Sequence, residues 1–244
     1  MRKVKLTYAR RPQSWPISNA CIARCRRKFA LQILIRKKRA CRKCTAGSHC
    51  CKRCMSEISS LEVALAQTVL QLEQSSIPYM LIGGLAMIAW GLPRATIDID
   101  LSLWVAADDL QEVALRLVAG HNPRVANPWA FIQKTRVLPV VGPADVRIDF
   151  LFAAFPFEKT MIDRAVNRMV GSASVRVASL EDLILLKIAS PRERDRYDVR
   201  AITVSHGNKL DWEYLILVGT QLAEALDAPD ISARLRTFRD ASIG

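Results

Sequence analysis

The chain has 244 residues, 50% of them apolar, and a net charge of +13. This length fits one large domain or two small ones, and the apolar share supports a proper core. No apolar run reaches the ~18 residues needed to cross a bilayer, and no apolar leader with a small-residue cleavage site follows the basic start. The composition thus excludes a membrane span and is expected of a soluble, cytoplasmic protein.

The charge is unevenly spread. Residues 1–54 carry no Asp or Glu, are crowded with Arg and Lys, and hold all seven cysteines. From Met55 onward there is no cysteine and the balance is slightly acidic. Residues 1–54 therefore read as a basic, Cys-rich extension, 55–178 as a folded core, and 179–244 as a helical C-terminal region. Within the extension, Cys41-x-x-Cys44 and Cys51-x-x-Cys54 have the makings of a four-thiolate zinc site, but the six residues between the pairs fall short of the usual ~15–20. A basic arm on nucleic acid, an Arg-rich targeting segment and a poorly ordered or non-native stretch ahead of a start at Met55 are the other readings.

Ile58, Leu61, Leu65, Val69 and Leu72 recur at helical spacing and predict a helix over 57–74, which Ser75-Ser76-Ile77-Pro78 ends. Tyr79–Ile82 is short and apolar, a buried strand. Gly83-Gly84 is a tight turn into a helix over 85–90. After Pro93, Thr96–Trp104 is the second strand, and 108–118 is helical. Strands are expected over 134–140 and 145–152, joined by a turn at Gly142-Pro143, then a helix over 157–168 and a short strand over 174–177. Ser179, with Asp182 three residues on, caps a helix through Ile188. At least two more helices follow, from about Arg194 and from Asp211. The fold class is α+β, a mixed sheet flanked by helices with a helical C-terminal half.

Inside the second strand lies Ile97-Asp98-Ile99-Asp100-Leu101. Side chains two apart on a strand share a face, so Asp98 and Asp100 project together and Ile97, Ile99 and Leu101 face the core. Paired carboxylates repel unless a positive charge lies between them, and magnesium prefers such oxygen ligands. Asp149, in the strand VRIDFLF, is placed to complete a three-carboxylate site for two magnesium ions, as phosphoryl transfer uses. Gly83 and Gly84 would let backbone N–H groups approach phosphate. Taken singly, a DxD pair is also a solvated strand face and a GG pair a turn. The order of the parts favours a site: strand, GG, helix, Arg94-x-Thr96, DxD, then a third Asp on a strand.

Gly83, Gly84, Ala86, Gly91, Arg94, Thr96, Asp98, Ile99, Asp100 and Leu101 together resemble the signature of the nucleotidyltransferase superfamily, whose fold is shared with the palm of DNA polymerase beta. The stretch SLEDLILLKIASPRERDRYDV resembles the AbiEii-type toxin branch. That resemblance implies active-site roles for Lys187, Asp195 and Asp198, a nucleoside triphosphate (NTP) substrate, a transfer RNA or other RNA acceptor, and a cognate antitoxin partner. It covers about residues 60–205. It departs at Gly84, where the pattern has serine. Read from the residues alone, Lys187 is a buried lysine seeking an acid or phosphate, or one snorkelling at a helix edge. Asp195 and Asp198 share a helix face amid arginines, which also suits a surface ion-pair cluster. Arg94 contacts phosphate or holds the Asp98 loop.

Two rivals stand beside this. Aminoglycoside and lincosamide adenylyltransferases have a similar GG and DID front end and would modify a drug hydroxyl. A non-catalytic nucleotide- or RNA-binding module would keep the fold without the chemistry. Tyr79, Trp90 and Trp104 read as core, and His49, His121 and His206 form no constellation.

Overall fold

A computed structural model describes residues 52–243. The basic, cysteine-rich extension lies almost wholly outside them, and with it the zinc, nucleic-acid-arm and targeting readings. The first helix, α1 (Lys52–Gln74), begins just ahead of Met55. It buries Leu61, Leu65, Val69 and Leu72 as the spacing requires. It stops where Ser76 turns left-handed, at φ 53°. Strand β1 (Tyr79–Ile82), buried throughout, leads into α2 (Gly83–Ala89). Then come β2 (Asp98–Leu103), α3 (Leu110–Ala119) and a two-residue β3 (Asn122–Pro123).

Next are α4 (Pro128–Thr135), β4 (Val137–Val141) and β5 (Arg147–Phe152). The turn between β4 and β5 is tied by Gly142 N–H donating to the Val146 carbonyl at 2.8 Å. They are followed by α5 (Pro156–Asp163), β6 (Val166–Val170) and β7 (Ala173–Val177). All later elements are helical: α6 (Leu180–Ile188), α7 (Glu193–His206), α8 (Trp212–Ala225) and α9 (Asp230–Ile243), with one short 3₁₀ turn.

The strands form one mixed sheet in the order β3-β4-β5-β2-β1-β7-β6. β2 runs parallel to β5 and β1 parallel to β7, and the remaining pairs are antiparallel. One face of the central strands is sealed. Ile99, Leu101 and Leu103 of β2 and Ile148, Phe150 and Phe152 of β5 are all buried in the core.

Three expectations need correction. Ile97 lies just ahead of β2 and is 54% exposed rather than in the core, because the strand begins at Asp98. The strand expected from Lys134 starts at Val137, since Lys134 belongs to α4. That helix has its own start signal: Asn127 accepts from Ala130 N–H at 3.0 Å, with Pro128 in the first turn. The helix expected through 168 stops at Asp163, and β6 follows. Gly171, at φ 63°, makes the reversal that pairs β6 with β7. Trp90 packs against the core as expected and its indole donates to the Ala178 carbonyl, and its ring also takes the Arg168 guanidinium of β6 at 3.4 Å.

The helical region is tied together through Asp182, which is fully buried. Ser179 caps α6 by accepting from Asp182 N–H, and its hydroxyl donates to Asp182 Oδ2 at 2.8 Å. Tyr214 of α8 donates to Asp182 Oδ1 at 2.7 Å. Burial pushes the Tyr214 phenol up, and the Asp182 charge adds to this, so it remains a donor. Tyr214→Phe leaves one Asp182 oxygen buried without its donor. It is expected to cost about 1–3 kcal/mol in urea unfolding. A loss under about 0.5 kcal/mol, the scale of a surface change, would show that this contact does not hold α8 to α6.

Candidate active site

The parallel register of β2 and β5 sets Asp100 opposite Asp149 and Asp98 opposite Arg147. Adjacent strands run ~4.8 Å apart, so Asp98, Asp100 and Asp149 share the open face of the sheet. All three line a cavity of about 620 Å³. Its walls also include Gly83, Gly84, Arg94, Thr96, Lys187, Arg192, Arg194 and Asp195. Apolar surface comes from Ile97, Val137, Leu151 and Leu186.

The glycines serve the carboxylates directly. Gly83 has φ 66°, and a Cβ there would lie 1.9 Å from Asp100 Oδ2. Only glycine permits both the left-handed turn from β1 into α2 and the close approach of that carboxylate. A Cβ at Gly84 would meet Thr96 Cβ at 2.6 Å. Thr96 in turn sets the entry to β2: its hydroxyl accepts from Asp98 N–H at 3.4 Å and lies 3.3 Å from the Asp98 carbonyl.

The like charges are felt. Burial pushes the Asp100 carboxyl up to about 6, with Asp149 and Asp98 adding their repulsion. Burial also raises Asp149, against the pull of Arg124. Arg124 is a residue that no sequence motif pointed to. Its guanidinium donates to Asp149 Oδ1 at 2.6 Å. Asp98 Oδ1 is buried and has no hydrogen-bond partner.

Among the described residues, no group of three or more His, Cys, Asp or Glu side chains is arranged to hold a metal ion. The three carboxylates meet on one wall, and Asp149 is engaged by Arg124. The donor set still suits a hard divalent cation, because it offers only carboxylate oxygens and one of them is buried without a partner.

Lys187 projects from α6 and is 8% exposed. Its ammonium donates to Asp198 Oδ2 at 2.7 Å and to Asp195 Oδ1 at 3.4 Å. Arg192 donates to Asp195 Oδ2 at 2.6 Å. Burial alone would raise Asp195, but Ser190, Lys187 and Arg192 outweigh it and hold the carboxyl below the usual range. Arg94 Nε lies 3.3 Å from Asp198 Oδ2, within ion-pair reach though not aligned as a hydrogen bond. Arg94 thus pairs with α7, where the sequence had offered phosphate or the Asp98 loop. Lys187 and Asp195 border the cavity, whereas Asp198 stands behind Lys187 and is not part of the wall. The surface ion-pair reading of Asp195 and Asp198 gives way to a buried network. His121 is a core residue, with Nδ1 2.8 Å from the Leu117 carbonyl.

The sequence matches the family described as "Nucleotidyl transferase of unknown function (DUF2204)" over residues 62–237. The chain belongs to this nucleotidyl transferase family. The match spans every strand of the sheet and all the cavity residues named above. No curated protein matches the transferase.

Among solved structures, an antigenic nucleotidyltransferase-like protein from Paracoccidioides brasiliensis is 17% identical with a TM-score of 0.42, covering 73% of this chain and 93% of that one. A lincomycin-bound lincosamide antibiotic adenylyltransferase, LnuA, is 16% identical with a TM-score of 0.40, covering 58% and 95%. The antibiotic-resistance factor ANT(2'')-Ia is 16% identical with a TM-score of 0.42, covering 77% and 95%. Likeness at this level carries nothing about activity or substrate.

The raised Asp100 gives a pH signature. Its folded carboxyl binds its proton more tightly than the unfolded one, so the folded state gains stability as pH falls through about 6. Asp100→Asn removes the charge. The variant is expected to be more stable than wild type at pH 7.5, by up to about 3 kcal/mol, with the gap closing toward pH 4. Thermal unfolding across that range checks it, and a gap independent of pH would refute the raised Asp100 carboxyl.

Proposed function

We propose that the chain transfers a nucleoside monophosphate from an NTP to an acceptor hydroxyl. The observation that carries this is the convergence of Asp98, Asp100 and Asp149 on one cavity wall facing Lys187, Arg94 and Arg192. Asp98, Asp100 and Asp149 would hold magnesium, two ions in the full arrangement, which would offset phosphate charge and lower the barrier to attack. The Gly83-Gly84 turn leaves backbone room beside the phosphates. Lys187, held by Asp198 and Asp195, presents one cation to the triphosphate, and Arg94 and Arg192 present two more.

Asp149 takes the proton of the acceptor hydroxyl. The acceptor oxygen bonds to the α-phosphorus as the bond to the bridging oxygen breaks, and pyrophosphate leaves. In this reading 55–178 is the catalytic core and 179–244 supplies the lysine and its positioning acids.

The acceptor proposed is an RNA end, a transfer RNA in the AbiEii-type reading, with a cognate antitoxin as partner. Arg192 and Arg194, exposed at the start of α7 and lining the cavity, support a polyanionic acceptor. A second reading, a small hydroxyl-bearing molecule as for the adenylyltransferases, draws on the apolar wall of Ile97, Val137 and Leu151 beside Asp149. Among the described residues no helix is long and apolar enough to cross a membrane.

The test incubates the chain with each α-labelled NTP and magnesium, in one arm with total RNA and in another with aminoglycosides and lincosamides. Label is expected on RNA. Asp98→Asn and Asp100→Asn should each lower transfer by at least about a hundred-fold while the circular dichroism spectrum is kept. Label on the drugs alone would favour the second reading. Undiminished transfer by both variants would refute the assignment.

A further inference from the structure

Asp149 differs from its two neighbours in one respect. Asp98 Oδ1 is buried without a partner and Asp100 lies beside two like charges, whereas Asp149 already has a counter-charge in Arg124. Arg124 follows β3 directly, and its own N–H donates to the Pro139 carbonyl of β4 at 2.9 Å. Pro139 is the register partner of Asp149. The backbone of Arg124 is thus fixed on the strand next to Asp149, while its side chain is 31% exposed. A guanidinium on Oδ1 and a divalent cation on the same carboxylate repel one another, so each weakens the other's hold on Asp149.

We propose that Arg124 is a positioning residue that competes with a divalent cation for Asp149 and so sets how readily the third carboxylate joins Asp98 and Asp100. The inference rests on the carboxylates being the cation site proposed above. Asp98 and Asp100 take the first cation with Arg124 still in place. Loading that draws in Asp149 works against the guanidinium charge on Oδ1.

Manganese serves as the probe, with free ion counted by electron paramagnetic resonance on the full chain without nucleotide. Arg124→Gln keeps much of the side-chain volume and removes the charge. It is expected to tighten the weaker manganese site about ten-fold, the scale of losing one charge-assisted competitor. Arg124→Lys, which retains a cation, stays near wild type. Adding Asp149→Asn to Arg124→Gln abolishes the gain. If Asp98→Asn loses manganese while Arg124→Gln binds it as wild type does, the competition is overturned and the cation site stands. If Asp98→Asn binds manganese like wild type, the cation site falls and the competition with it.

Discussion

Three carboxylates on neighbouring parallel strands repel one another, and the sheet keeps them together because its other face is closed. Ile99 and Leu101 alternate with Asp98 and Asp100, and Ile148 and Phe150 flank Asp149 in the same way. A slip of one residue in either strand would turn an aspartate into the core and a large apolar side chain into the cavity. Both outcomes are costly, so the register is strongly specified. The raised Asp100 reflects burial first and that repulsion second, and the Arg124 contact offsets part of the Asp149 charge.

The cationic wall depends on a different part of the chain. Lys187 leaves α6, and its partners Asp195 and Asp198 leave α7 on one helix face. A buried ammonium needs close acids, and Asp198 at 2.7 Å supplies the first. Arg94, from the loop before β2, reaches the same Asp198 carboxylate. The loop that feeds Asp98 and the helix that orients Lys187 thus share one charge. A change at Asp198 would disturb both walls although it touches neither end of the reacting groups.

Much of the site could be read from residue order, because strand periodicity and the GG and DxD spacing are local. Asp98 and Asp100 share a face by geometry alone, and Asp195 and Asp198 do so by helical spacing. What could not be read was long-range. Arg124 carries no motif, and its contact with Asp149 depends on β3 lying at the sheet edge next to β4. Arg94 paired with a helix some hundred residues away rather than with its own loop. The misplaced boundaries have local causes. The Asn127-Pro128 start of α4 was hidden in a run of apolar residues, and Val166–Val170 lacks the apolar alternation that marks a strand because Arg168 lies over Trp90 instead of facing water.

The glycine at position 84, where the resembled pattern has serine, follows from packing. Thr96 presses against it so closely that a serine Cβ would need the threonine to move. Moving Thr96 would loosen the hydroxyl contact with Asp98 N–H that starts β2. Gly83 is bound in the same way to Asp100. The turn therefore has two glycines because Thr96 and Asp100 occupy the space their side chains would fill. Backbone room for phosphate comes as a consequence, which is why the GG pair and the aspartates occur together in the sequence: each strand end is shaped by the other.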